Sequence, residues 1–104
     1  MERWESIGKP DEYPENDRRK LTLHGYEIVI FHLPSGFYAV TSTCPHAGGP
    51  LEEAKIVGEH EIQCPWHRYR YDLTDGHSTN QPLYRARVYP IREENGELFV
   101  GLPA

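Results

Sequence analysis

Turn signals recur through this chain at intervals too short for helices. His24-Gly25, Pro34-Ser35-Gly36, Gly58-Glu59, Thr74-Asp75-Gly76 and Glu94-Asn95-Gly96 each supply the permissive residues on which a strand reverses. Between them lie runs of strand length and composition: YEIVIFHL over 26–33, FYAVTSTC over 37–44, AKIV over 54–57, HEIQC over 60–64, YDL over 71–73, RARVYPI over 85–91 and ELFVGL over 97–102. Residues 21–23 lead into the first hairpin, and WESIG at 4–8 reads as a short opening strand. PDEYPENDRRK, residues 10–20, reads as a polar connector. Gly, Pro and β-branched residues interrupt every stretch that would otherwise suit an amphipathic helix. The expectation is an all-β chain, a small sandwich or barrel of about eight short antiparallel strands. One domain spanning 1–104 suits that length.

Eleven Lys and Arg stand against sixteen Asp and Glu, a formal charge of −5. That balance argues against nucleic acid and anionic membrane surfaces as partners and favours a basic patch on another protein. The opening MERWESIGKPDEY has no apolar segment like that of a secretory leader, and the longest apolar runs, such as 28–31, are strand-sized. A cytoplasmic protein with no membrane contact is expected. Only two cysteines are present, so a disulfide is possible on number alone.

Those two cysteines fall in matched loops. CPHAGGPL begins at Cys44 and CPWHRYRYD at Cys64. Each loop offers one thiolate and one imidazole: Cys44 with His46, and Cys64 with His67. Residues 47–63 between them leave room for about one hairpin, which can bring the loops side by side at one end of a sheet. A structural zinc site uses the same four residue types, but normally pairs like with like, two to five residues apart. A catalytic Cys–His pair needs only one such loop. An iron–sulfur cluster with two unlike irons uses both, two thiolates on one metal and two imidazoles on the other. Pro45 and Pro65 cannot donate backbone hydrogen bonds, so the donors must come from later in each loop; Gly48 and Gly49 allow close backbone approach.

Cys44-x-His46 followed by Cys64-x-x-His67, with the flanking CPHAGGPL and CPWHRYRYDLTDG, resembles the signature of the Rieske [2Fe–2S] proteins. The resemblance is strongest over about 44–76 and implies a small β-sandwich carrying a two-loop cluster-binding subdomain. It implies that Cys44 and Cys64 hold the inner iron of one [2Fe–2S] cluster, and that His46 and His67 hold the outer iron near the surface. Gly48, Gly49, Trp66, Tyr69 and Tyr71 would surround it. Two ferric ions, two sulfides and two thiolates sum to zero charge, so one added electron costs little compared with reducing an anionic all-cysteine core.

Rieske proteins of quinol-oxidising complexes carry two more cysteines in a disulfide; at the matching places this chain has Gly49 and Trp66. Tyr69 stands where those proteins have a serine, and Arg68 where they have a glycine. Tyr71 matches a tyrosine that hydrogen-bonds a ligand cysteine, here Cys44 by analogy. Fewer donors to sulfur imply a potential at the low end of the Rieske range, about −150 mV or slightly above. Rieske oxygenases need a second iron on a further domain, and His24, His32, His60 and His77 form no two-His-one-carboxylate group in the sequence. The resemblance therefore implies a ferredoxin, not an enzyme: a monomeric one-electron carrier from an NAD(P)H-dependent flavoprotein reductase to an oxygenase or other redox enzyme. Its alternative is the small subunit of an assimilatory NAD(P)H nitrite reductase, which has a similar size, a Trp-containing start and loops of the CPH-x-GGPL type.

Overall fold

A computed structural model of the chain describes residues 2–45 and 48–103. His46 and Ala47 lie outside the described residues. Among the described residues ten strands follow in order: β1 Glu2–Gly8, β2 Asp17–Leu23, β3 Tyr26–Leu33, β4 Gly36–Thr41, β5 Lys55–Ile56, β6 Glu61–Gln63, β7 Arg70–Asp72, β8 Val88–Tyr89, β9 Ile91–Glu94 and β10 Glu97–Pro103. The described residues contain no α-helix, only 3₁₀ turns at Pro10–Glu12 and Leu51–Glu53. The strands form three antiparallel sheets, ordered β1-β10-β9, β2-β3-β4-β8 and β5-β6-β7.

The four-stranded sheet is the middle layer, and β3 shows why its sequence is apolar without alternation. Ile28 and Ile30 face one core, with Ile7, Tyr13, Leu98, Val100 and Leu102. Val29, Phe31 and Leu33 face the other, with Leu51, Ile62, Tyr71 and both cysteines. A strand covered on both sides reads as a continuous hydrophobic run. Each such side chain, fully buried, contributes about 1.5–3 kcal/mol. The expected β-sandwich is therefore present, with the small β5-β6-β7 sheet added on the side that carries the cysteines.

The turn chemistry follows the sequence. His24 (φ 50°) and Gly25 (φ 83°) close β2 onto β3, and Asn95 (φ 54°) and Gly96 (φ 77°) close β9 onto β10. Both are two-residue loops with positive φ at both positions, the form whose twist matches paired strands.

Two sequence expectations are corrected. Residues 17–20 do not belong to a polar connector: DRRK starts β2, pairing Asp17 with His32 and Lys20 with Val29. β2 is an edge strand, where charged side chains are tolerated. Arg18 lies 4.9 Å above the Phe31 ring and Arg19 5.6 Å above that of Tyr13, so their stems cover apolar surface. Residues 85–91 are not one strand. Pro90 cannot donate to a ladder, and the chain changes sheets there: β8 pairs with β4, whereas β9 pairs with β10.

Candidate metal centre

Strand β4 delivers Cys44 and strand β6 delivers Cys64 to the same end of the molecule. Each loop is pinned at its neck by backbone hydrogen bonds. Cys44 N donates to Gly49 O at 2.8 Å and Gly48 N to Cys44 O at 2.9 Å; in the second loop Cys64 N donates to Tyr69 O at 2.8 Å. The second loop reverses on two successive left-handed residues, His67 (φ 63°) and Arg68 (φ 59°). Neither is a glycine, so the turn is held at some cost by the bonds around it. His67 is exposed on this turn.

The loops touch through Gly49. A Cβ at this position would lie 2.9 Å from Cys64 Sγ and 3.1 Å from Trp66 Cγ, so only a glycine lets the first loop lie against the second. Cys44 and Cys64 are both buried and unbridged, with thiols close enough to interact. The Tyr71 hydroxyl lies 3.2 Å from Cys44 Sγ, the contact expected by analogy. The Trp66 amide donates to Cys64 Sγ. Burial pushes the Cys64 thiol up to about 11 against that amide's opposing effect, and burial followed by the Cys44 contact pushes Tyr71 well above the usual phenol range.

This is a donor set that suits metal. Burial makes the Cys64 thiol resist ionisation, but bound positive charge reverses that preference. Hydrogen bonds already aimed at both sulfurs suit thiolates rather than a disulfide. A [2Fe–2S] cluster fits these residues: two soft ligands are buried side by side, a histidine stands on the exposed turn that follows the second of them, and Gly49 keeps the space between the loops. His46 lies outside the described residues; of the four expected ligands the structure brings Cys44 and Cys64 together and leaves His67 on the exposed turn after Cys64, and no three potential ligands converge among the described residues.

A third loop, which carries no motif of its own, completes this end. Asn80 Oδ1 accepts from Arg70 N at 2.9 Å, and Asn80 Nδ2 donates to Arg68 O at 3.1 Å. The Tyr69 and Tyr84 rings sit 5.4 Å apart. Residues 80–84 are thus bound to residues 68–70 at both ends. Read linearly, NQPLY is only a turn; its partners appear when the loops converge.

The Rieske [2Fe-2S] domain model matches residues 3–90. The chain belongs to that family. One [2Fe–2S] cluster is accordingly the cofactor for which this Rieske site is built. Among curated relatives, a ferredoxin component of naphthalene 1,2-dioxygenase/salicylate 5-hydroxylase systems from Ralstonia is 29% identical over 93 residues, covering 88% of each chain. A human Rieske domain-containing protein is 27% identical over 114 residues, covering 92% of this chain and 73% of its own. Two solved structures share the Rieske fold over nearly their whole lengths. One is described as an NADH-dependent nitrite reductase small subunit from Mycobacterium tuberculosis (TM-score 0.87, 22% identical, 100% and 98% covered). The other is the ferredoxin of carbazole 1,9a-dioxygenase from Nocardioides aromaticivorans (TM-score 0.83, 23% identical, 93% and 95% covered).

Proposed function

We propose that this protein is a Rieske-type ferredoxin, a one-electron carrier without substrate chemistry of its own. It acts as one domain, 1–104, taking electrons from an NAD(P)H-dependent flavoprotein reductase and giving them to an oxygenase or another redox enzyme. The observation that carries this reading is the pair of buried, unbridged thiols, Cys44 and Cys64, with the Tyr71 hydroxyl on one sulfur and exposed His67 on the adjoining turn. When bound, the cluster supplies reversible one-electron chemistry. The chain's own part is to hold it asymmetrically. Cys44 and Cys64 are its buried ligands, and His46 and His67 its outer ones. Gly49 lets the loops close, and Tyr71 and the Trp66 amide stabilise negative charge on the sulfurs. Unbridged thiols suit a reducing compartment, which supports a cytoplasmic location. No helix among the described residues is long and apolar enough to cross a membrane.

Electron paramagnetic resonance of the dithionite-reduced protein tests the ligand set. Mixed Cys/His ligation is expected to give a lower average g than all-cysteine clusters, and His46→Ala or His67→Ala is expected to abolish that spectrum. An unchanged spectrum in either variant removes that histidine from the set.

A second reading keeps the same chemistry but fixes the chain within a nitrite reductase as its small subunit. Its support is the end-to-end likeness of fold to the Mycobacterium tuberculosis chain. Purification from the native source separates the two: a carrier is recovered as a monomer, a subunit with a large flavoprotein.

A further inference from the structure

The formal charge of −5 points to a basic docking partner, but the fold does not spread that charge evenly. Residues 1–17 and 91–104 carry nine acids against three bases, so 18–90 are net positive by one. The acidic ends build the β1-β10-β9 sheet and the connector before β2, and that sheet covers the core that lacks the cysteines. The three loops at the cluster end, 44–51, 64–71 and 78–85, contain three arginines and no acid.

Two of those arginines, Arg68 and Arg70, are exposed, as is Lys55. Arg68 is exposed on the turn immediately after His67. Arg70 begins β7, and in the sheet register Lys55, Gln63 and Arg70 stand opposite one another. Directly opposed residues share a face, and this row faces outward, its centre tied by Arg70 Nε donating to Gln63 Oε1 at 2.9 Å. The acids next along the same face, Glu61 and Asp72, are engaged by Thr79 and Thr74, on the side of the row away from the cluster end. Among the described residues, no acid pairs with Arg68, Arg70 or Lys55, whereas Lys20, Arg19 and Arg92 each meet a glutamate. Glu52 and Glu53, which follow the first loop, lie in the turn that packs against β2, where Lys20 meets Glu52. Arg85, by contrast, sits near Asp75 and is partly balanced.

On the loops of the cluster end lie two large apolar side chains in the open. Trp66 is 49% exposed and Leu83 is 95% exposed. Leu83 tips the turn whose ends are fastened to residues 68–70. An apolar centre with charge at its margin is the composition of a transient docking face. Arg68 adds a backbone argument. It keeps a left-handed conformation that glycine would adopt without strain, and residues held in such conformations cluster at functional positions.

We propose that the cluster end is a docking face opposite in sign to the molecule as a whole, formed by Arg68, Arg70 and Lys55 around Trp66 and Leu83. It receives a redox protein whose own docking face is acidic around an apolar recess. The proposal rests on the electron-carrier reading. In it the long-range field of the acidic sheet turns the molecule, and the basic end meets the partner.

The test uses the cluster-loaded protein and two inorganic oxidants of opposite charge. The reduced protein is oxidised by ferricyanide or by hexaamminecobalt(III) in stopped flow, from about 10 mM to 500 mM salt, a range over which screening of exposed charge becomes nearly complete. The expected result is that the ferricyanide rate falls about threefold or more with salt while the cobalt rate rises. Arg70→Glu and Lys55→Glu, which lie on strands β7 and β5, are expected to flatten or reverse both trends, and Arg68→Glu to do so most. A decaglutamate peptide is expected to shift the amide resonances of Arg70 and Leu83, and decalysine those of the β9–β10 hairpin. Ferricyanide oxidation that speeds up with salt, following the net charge, overturns the proposal, as does a decaglutamate titration that leaves those amides unmoved. A preparation that shows no Rieske spectrum refutes the carrier reading instead.

Discussion

Tyr71 reaches its place through register, since Ile62 stands opposite it and fixes which face it occupies. Its hydroxyl, 3.2 Å from Cys44 Sγ, is a donor that favours the more negative state of a thiolate. Removing it costs about 1 kcal/mol of that preference, equal to about 40 mV for one electron. Tyr71→Phe is therefore expected to lower the midpoint potential by about that amount while the spectrum keeps its Rieske form; protein-film voltammetry measures it. Gly49 presents a different constraint. Its φ is ordinary, and space alone excludes a side chain, because the would-be Cβ meets Cys64 Sγ and the Trp66 stem. Gly49→Ala forces the two loops apart and is expected to destabilise the site by about 1–3 kcal/mol. The readout is iron and sulfide content after gel filtration, which should fall while circular dichroism still reports strand.

At the scale of elements, the turn after β7 shows how geometry and space add. Gly76 has φ 86° and a would-be Cβ only 1.9 Å from Ala86 O, whereas Gly25 has φ 83° and nothing within 4 Å. Gly25→Ala meets only the left-handed penalty, about 1 kcal/mol. Gly76→Ala adds a backbone clash that breaks the Ala86 N to Gly76 O bond, and is expected to cost about 3 kcal/mol or more in urea unfolding. Asp72 closes the same turn, accepting from Thr74 N at 2.8 Å and Thr74 Oγ1 at 2.5 Å. Burial pushes its carboxyl up, but the Thr74 bonds and nearby His60 outweigh this and leave it below its ordinary value. A lowered folded-state pKa stabilises the protein above the unfolded value, and that contribution is lost as pH falls through the folded one. The stability gap between wild type and Asp72→Asn should accordingly be full at pH 7 and close below about pH 4, as followed by urea melts across that range.

At the scale of the whole molecule, the described residues form two cores, one on either face of the middle sheet, and the cysteines belong to one of them. Removal of iron by a chelator under reducing conditions leaves the Ile28, Ile30, Leu98 and Val100 core intact while withdrawing support from the loops. Hydrogen exchange of the metal-free protein is expected to keep β3 and β10 amides protected and to speed exchange at Cys44, Cys64 and Tyr69. Uniform loss of protection would show instead that the two cores unfold as one unit. The segregation of charge belongs to this scale as well. It is invisible in a net charge of −5, because the acids at the two chain ends are neighbours only once β1 pairs with β10.

Local chemistry in the sequence was sufficient for most of the strands, the two-residue hairpins at His24-Gly25 and Asn95-Gly96, and the pairing of loops around Cys44 and Cys64. Each depends on residues close in the chain: positive φ where Gly and Asn stand, apolar runs where both faces are covered, soft ligands beside proline. Tertiary structure alone decided the rest. Asp17–Lys20 became a strand because an edge was open beside β3, and the run at 85–91 split because Pro90 stands where two sheets meet. It also decided that Asn80 and Tyr84 brace the second loop, and that Lys55, Gln63 and Arg70 fall in one outward row. Those facts depend on which distant segments lie side by side, and spacing along the chain carries no record of that.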